Sequence, residues 1–127
     1  MLKVLIVDDS SLIRKLITNQ VKVFGDITVV GEAVNGIMAM EMVEELDPDV
    51  VLLDLHMPDM NGIEVLKEIK KSKKKTIVCI LTNYPYPQYK KKCLALGADY
   101  FLYKNEDFEK INMILEDLLR ENQYSLI

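Results

Sequence analysis

The sequence predicts a doubly wound α/β sandwich of three layers, with a five-stranded parallel sheet covered by helices on both faces. Three observations predict it. Five short apolar runs take turns with longer segments of helical period. Within the runs apolar and polar residues do not alternate, so both faces of each strand must be covered. No linker, repeat or low-complexity tract interrupts the pattern, and right-handed β-α-β crossovers then wind the chain into a single sandwich.

The runs are Lys3 to Val7, Thr28 to Gly31, Val50 to Leu53, Thr76 to Leu81 and Tyr100 to Tyr103. The first helix is expected over Ser11 to Phe24, with Ser10 as its cap, Leu12, Ile13, Leu16 and Ile17 at helical spacing, and Gly25 as its stop. The second follows Asn35 and packs Met40, Val43 and Leu46 before Asp47-Pro48 ends it. The third follows Asn61-Gly62, with Ile63, Leu66 and Ile69 on one side. The fourth, Pro87 to Leu96, opens on proline and closes on Gly97. The fifth begins near Glu106 and carries Phe108, Ile111, Leu115 and Leu118 as one apolar stripe.

Composition sets limits on function. A chain of 127 residues, half hydrophobic and 28% charged, suits one core, so residues 1–127 are expected to form one domain. A net charge of −4 argues against direct binding of nucleic acid, which requires a dominant basic surface. The five lysines between Lys70 and Lys75 fall at the pole opposite the strands' carboxyl ends and are expected to be a solvated turn. Lys90 to Lys92 sit on the fourth helix, where at least two must face water. Cys79 and Cys93 have neither a C-x-x-C spacing nor further partners, which makes them packing thiols of a reducing compartment. No apolar stretch approaches the roughly 20 residues that span a bilayer, and no signal-peptide pattern opens the chain. A cytoplasmic protein without a membrane span is expected.

Ligands of open parallel sheets bind beyond the carboxyl ends of the strands, where the strand order reverses. Those ends carry Asp8-Asp9 after the first strand, Asp54 after the third, Thr82 after the fourth and Lys104 after the fifth. For a sheet ordered 2-1-3-4-5, the flavodoxin-like arrangement, the switch point lies between the first and third strands and gathers three carboxylates. Like charges so close raise one another's pKa values, and a hard divalent cation relieves the conflict. Mg²⁺ suits such a site, because it takes a few protein oxygens and keeps positions open for water and phosphate. With a lysine cation and a threonine hydroxyl nearby, the set describes a phosphoryl site with a carboxylate nucleophile.

The segments VDDS (Val7 to Ser10), DLHMPDMNG (Asp54 to Gly62), LT (Leu81-Thr82) and GADYFLYK (Gly97 to Lys104) resemble, in order and spacing, the motif blocks of bacterial two-component response-regulator receiver domains, in particular single-domain chemotaxis regulators. The resemblance covers essentially the whole chain. It implies a phosphorelay switch in which Asp54 is the phosphoacceptor and Thr82 and Lys104 hold the transferred group. It also implies that Asp9 and Asp54 bind Mg²⁺ by side chain, Asp8 through water, and His56 through its backbone carbonyl. Phe101 would be the aromatic switch residue that turns inward with Thr82. The implied partners are a sensor histidine kinase or phosphotransfer protein and a downstream protein met by the fourth helix, fifth strand and fifth helix. No enzymatic activity is implied beyond transfer to, and hydrolysis from, its own aspartate.

Two positions depart from the family pattern. Asn83 replaces the usual small residue after the threonine and is expected to narrow access to the site. Asn105 replaces the usual proline after the lysine, which removes the reason for a cis peptide there and makes trans the favoured isomer. The principal alternative, a haloacid-dehalogenase-type phosphatase, requires a second aspartate two residues after the nucleophile, where this chain has His56, its only histidine. Here His56 is expected to be a loop residue that modulates how water reaches the acyl phosphate. A flavodoxin-type FMN carrier would need a neutral phosphate loop after the first strand, where Asp8-Asp9 would repel the phosphate. Nucleotide cofactors lack their glycine-rich loop.

Overall fold

The computed structural model describes residues 1–84 and 86–125, with side chains as far as Glu121. Its elements run β1 (Leu2–Val7), α1 (Ser11–Val21), β2 (Ile27–Ala33), α2 (Gly36–Leu46), β3 (Val50–Asp54), α3 (Gly62–Ser72), β4 (Ile77–Thr82), α4 (Pro87–Ala95), β5 (Tyr100–Tyr103) and α5 (Lys110–Ser125). The strands form one parallel sheet ordered β2-β1-β3-β4-β5. The order therefore reverses between β1 and β3, as expected.

Successive residues of a strand point to opposite faces, and both faces here are apolar. Leu5, Val7, Val51, Leu53, Val78 and Ile80 meet Ala39 and Val43 of α2, Val65, Leu66 and Ile69 of α3, and Cys93 of α4. Val4, Ile6, Val50, Leu52, Cys79 and Leu81 meet Ile17 and Val21 of α1 and Ile111, Ile114, Leu115 and Leu118 of α5. The two cores explain why the sequence shows runs rather than alternation. Truncating one of their fully buried residues, such as Ile6 or Leu66, to alanine removes about 2 to 5 kcal/mol. Both cysteines are buried and free, and among the described residues no helix is long and apolar enough to cross a membrane.

Three helix starts are capped as their sequences suggest. The side chains of Ser10, Asn35 and Asn61 accept hydrogen bonds from the N–H groups of Ile13, Met38 and Glu64. Two helix boundaries differ from expectation. Helix α1 stops at Val21 rather than Phe24, because the Phe24 N–H turns back to the Val21 carbonyl. Helix α5 begins at Lys110, four residues past Glu106, because Asp107 spends its carboxylate on a turn: Oδ2 accepts from the Tyr103 N–H at 2.9 Å while its own N–H donates to the Tyr103 carbonyl. The five lysines from Lys70 to Lys75 close α3 and the turn after it. Lys70 pairs with Asp99 and Lys73 with Asp47, and Lys71, Lys74 and Lys75 are exposed. Lys90, Lys91 and Lys92 on α4 all face outward.

Candidate functional site

The parallel sheet delivers its strand ends to one pole, and there Asp8, Asp9, Asp54, Thr82 and Lys104 come together as expected. Asp8 follows β1, while Asp54 and Thr82 are the last residues of β3 and β4. Lys104 follows β5, its N–H donating to the Thr82 carbonyl at 2.8 Å. An open cleft of about 350 Å³ lies over the three aspartates and Lys104, lined also by His56 and by Asn83 and Tyr84 from the loop after β4.

Buried charge dominates the site. Asp8, Asp54 and Lys104 are all buried, with Lys104 Nζ 2.5 Å from Asp8 Oδ2 and 3.4 Å from Asp54 Oδ1. Asp8 is fixed on its other side as well, Oδ1 accepting from the Ser10 N–H at 2.8 Å. Burial pushes the Asp54 carboxyl up to about 6; the Lys104 cation pulls against this, Asp8 adds to it, and the His56 N–H lowers it slightly. One lysine thus offsets only part of the negative charge.

The residues present fit a hard divalent cation. One oxygen from each of Asp8, Asp9 and Asp54 lies within 4.8 Å of the others, all three are carboxylates, and Asp9 is exposed to the cleft. The segment after Asp54 folds sharply back: the Gly62 N–H donates to the Leu55 carbonyl at 2.8 Å. A Cβ at residue 62 would lie 2.3 Å from the Asp54 carbonyl oxygen, so only glycine allows α3 to start this close to the end of β3.

Thr82 is fully buried, and its Oγ1 accepts from the Tyr84 N–H at 3.1 Å, which leaves the hydroxyl proton free for another acceptor. Phe101 lies in β5 opposite Ile80, while Thr82 lies opposite Tyr103. The Phe101 ring is buried in the α2–α3–α4 core and meets Tyr103 edge-on at 5.5 Å. Asn83 lines the cleft, and the peptide between Lys104 and Asn105 is trans, since no cis bond occurs among the described residues.

Sequence reasoning missed four contributors. Tyr84 covers His56, with ring centroids 3.8 Å apart, and Tyr89 meets the same imidazole edge-on at 5.6 Å. Arg14 of α1 donates to the Asp8 carbonyl at 2.6 Å and pairs with Glu32 at 3.2 Å, fastening the loop that carries the acidic pair. Asp59 reaches the first turn of α2. The arginine at helical spacing after Asp8-Asp9 was a readable signal. The contacts of the other three join a loop to a segment distant in sequence and left none.

Residues 4–116 match the family described as response regulator receiver domain. The chain is 37% identical over 120 residues to the transcriptional regulatory protein YdfI of Bacillus subtilis, a match covering 94% of this chain and 56% of that protein. It therefore spans little more than half of that relative's length. Among solved structures it is similar to the response regulator domain of Thermotoga maritima CheB, with a TM-score of 0.83, 32% identity and 95% of each chain covered. It is also similar to a chain of the CheX-CheY-BeF3-Mg²⁺ complex of Borrelia burgdorferi, with a TM-score of 0.83 and 29% identity over 93% of this chain and 89% of that one. None of these findings supports the phosphatase alternative, and the position where that chemistry needs its second aspartate is occupied by an imidazole packed at a tilt against Tyr84.

Proposed function

Because the chain belongs to the response-regulator receiver family, the phosphoacceptor switches of two-component systems, we propose that Asp54 is its phosphoacceptor and that Asp8, Asp9, Asp54 and the His56 backbone carbonyl hold Mg²⁺. The observation that carries this reading is the juxtaposition of three carboxylates with one buried lysine at the switch point of the sheet. An Asp54 oxygen forms the new bond to phosphorus as the donor's bond to phosphorus breaks. A carboxyl with a pKa of about 6 is mostly ionised at neutral pH and able to attack. When bound, Mg²⁺ would neutralise the carboxylates and polarise the phosphoryl oxygens. Lys104 supplies a cation and Thr82 a hydroxyl donor for the same oxygens.

The switch begins at Thr82. Its hydroxyl oxygen is held by the Tyr84 N–H, so drawing the hydroxyl toward a phosphoryl group on Asp54 pulls on the loop that leads into α4. Phe101, one strand over on the same face of the sheet, follows this movement as the aromatic switch residue. The output surface is then α4, β5 and α5, met by a downstream protein.

The donor is a sensor histidine kinase or phosphotransfer protein. Next to the acidic pair, α1 presents Leu12 and Leu16 at 64% and 46% exposure, an apolar face suited to a helical donor domain. The chain acts in the cytoplasm, in keeping with two free thiols, and makes no direct contact with nucleic acid. Its only chemistry is transfer to, and hydrolysis from, Asp54. The switch is tested with beryllofluoride and Mg²⁺ as a phosphoryl mimic: backbone amide shifts should concentrate on α4, β5 and α5. A shift map centred on α2 would refute the proposed output surface.

A further inference from the structure

We propose that Asp59 is a positioning residue for the metal site, tying the loop that follows Asp54 to the first turn of α2; this inference rests on the phosphoacceptor reading above. Asp59 Oδ1 accepts from the Gly36 N–H at 2.9 Å and Oδ2 from the Ile37 N–H at 3.2 Å, across 23 and 22 residues of sequence. Oδ1 also accepts from the N–H of Met60, inside the same loop, at 2.7 Å. Helix α2 already has its own cap in Asn35, whose side chain accepts from the Met38 N–H at 2.8 Å. Asp59 therefore serves the two amide donors that Asn35 does not reach, and an anion at this end is further favoured by the helix dipole.

A second contact makes the same connection. A Cβ at Gly36 would lie 2.5 Å from the Met60 Cβ and 2.6 Å from its carbonyl oxygen, so the helix and the loop approach as closely as only glycine permits. Desolvation pushes the Asp59 carboxyl upward, but the N–H groups of Gly36, Met60 and Ile37 outweigh it and hold the carboxyl below its usual range.

The loop from Leu55 to Asn61 is thus pinned at two places. At its base the Gly62 N–H is bonded to the Leu55 carbonyl, and near its far end Asp59 is bonded to α2. Between the pins lies His56, whose carbonyl the reading above assigns to Mg²⁺. Groups that orient a metal's ligands without touching the metal typically change its affinity by about 10- to 100-fold when removed.

The test uses the full chain and Mg²⁺ alone, titrated by tyrosine fluorescence and by amide shifts, alongside thermal unfolding without metal. Asp59→Ala should weaken Mg²⁺ binding about tenfold, and phosphorylation by acetyl phosphate should slow at low Mg²⁺ but recover at saturation. Asp59→Asn keeps the Oδ1 acceptor shared by Gly36 and Met60 and should stay within about twofold of the wild type. Asn35→Ala removes α2's own cap, so it should lower the melting temperature without changing Mg²⁺ affinity. The inference is overturned if Asp59→Ala binds Mg²⁺ like the wild type, if Asp59→Asn is as weak as Asp59→Ala, or if Asn35→Ala weakens binding equally. In each case a normally labelled wild type would leave the phosphoacceptor reading standing. A wild type that neither binds Mg²⁺ nor is labelled would refute both.

Discussion

Lys104 Nζ lies closer to Asp8 than to Asp54, at 2.5 Å against 3.4 Å, with all three groups buried at the carboxyl pole of the sheet. The lysine is therefore held more closely by Asp8 than by Asp54. Removing it leaves two buried carboxylates without a cation, and breaking a buried pair in this way costs about 3 kcal/mol or more. Lys104→Met should lower unfolding free energy in urea by about that amount without metal, and MgCl₂ should restore more stability to the variant than to the wild type. Equal effects of Mg²⁺ on the two proteins would show that lysine and metal do not serve the same charges.

Asp54 gives the site a pH signature. With its carboxyl raised from 3.8 to about 6 by burial, against the pull of Lys104, it binds its proton more tightly folded than unfolded. The stability linked to that proton is present below the unfolded value of 3.8 and is lost as pH rises through about 6. Without metal, Asp54→Asn should therefore be more stable than the wild type at pH 7.5, by at most about 3 kcal/mol. The advantage should shrink on acidification and vanish near pH 4. A pH-independent difference in chemical denaturation would contradict the raised carboxyl.

The two aspartates after β1 should not be equivalent. Asp8 is committed to Lys104 and to the Ser10 N–H, whereas Asp9 is exposed to the cleft. Asp9→Ala is expected to weaken Mg²⁺ binding more than Asp8→Ala, as ranked by fluorescence or NMR titration. Equal losses, or the reverse order, would reject direct ligation by Asp9.

Most of this site was legible in the sequence because a parallel sheet turns strand ends into coordinates. Once Val7, Leu53, Leu81 and Tyr103 are read as the last or nearly last residues of buried strands, Asp8, Asp54, Thr82 and Lys104 must share one pole. The two-sided apolar pattern of Val4 to Val7 and Val50 to Leu53 made those strands readable, since odd and even residues feed different cores. The start of α5 was not legible: Asp107 looks like an ordinary first-turn acid, and only its bond to the Tyr103 N–H shows that it holds a turn instead. Contacts made by loops, such as Tyr84 on His56 and Asp59 on the first turn of α2, have no periodicity to reveal them. They depend on the path of an irregular segment, which the order of the strands does not fix.

The exposed Leu12 on α1 separates donor docking from chemistry. Leu12→Asp removes apolar surface beside the site and should slow phosphoryl transfer from a protein donor about tenfold, the equivalent of about 1.4 kcal/mol of lost contact. Transfer from acetyl phosphate, which needs no docking face, should be unchanged. A variant impaired with both donors would place Leu12 in the fold of the site rather than in docking.

The central claim is that Asp54 accepts the phosphoryl group with the help of Mg²⁺. Intact mass after incubation with acetyl phosphate tests it most directly. The wild type should gain the mass of one phosphoryl group with Mg²⁺ and little without it, and Asp54→Asn should gain none; undiminished labelling of Asp54→Asn, or of the wild type without any divalent cation, would contradict it.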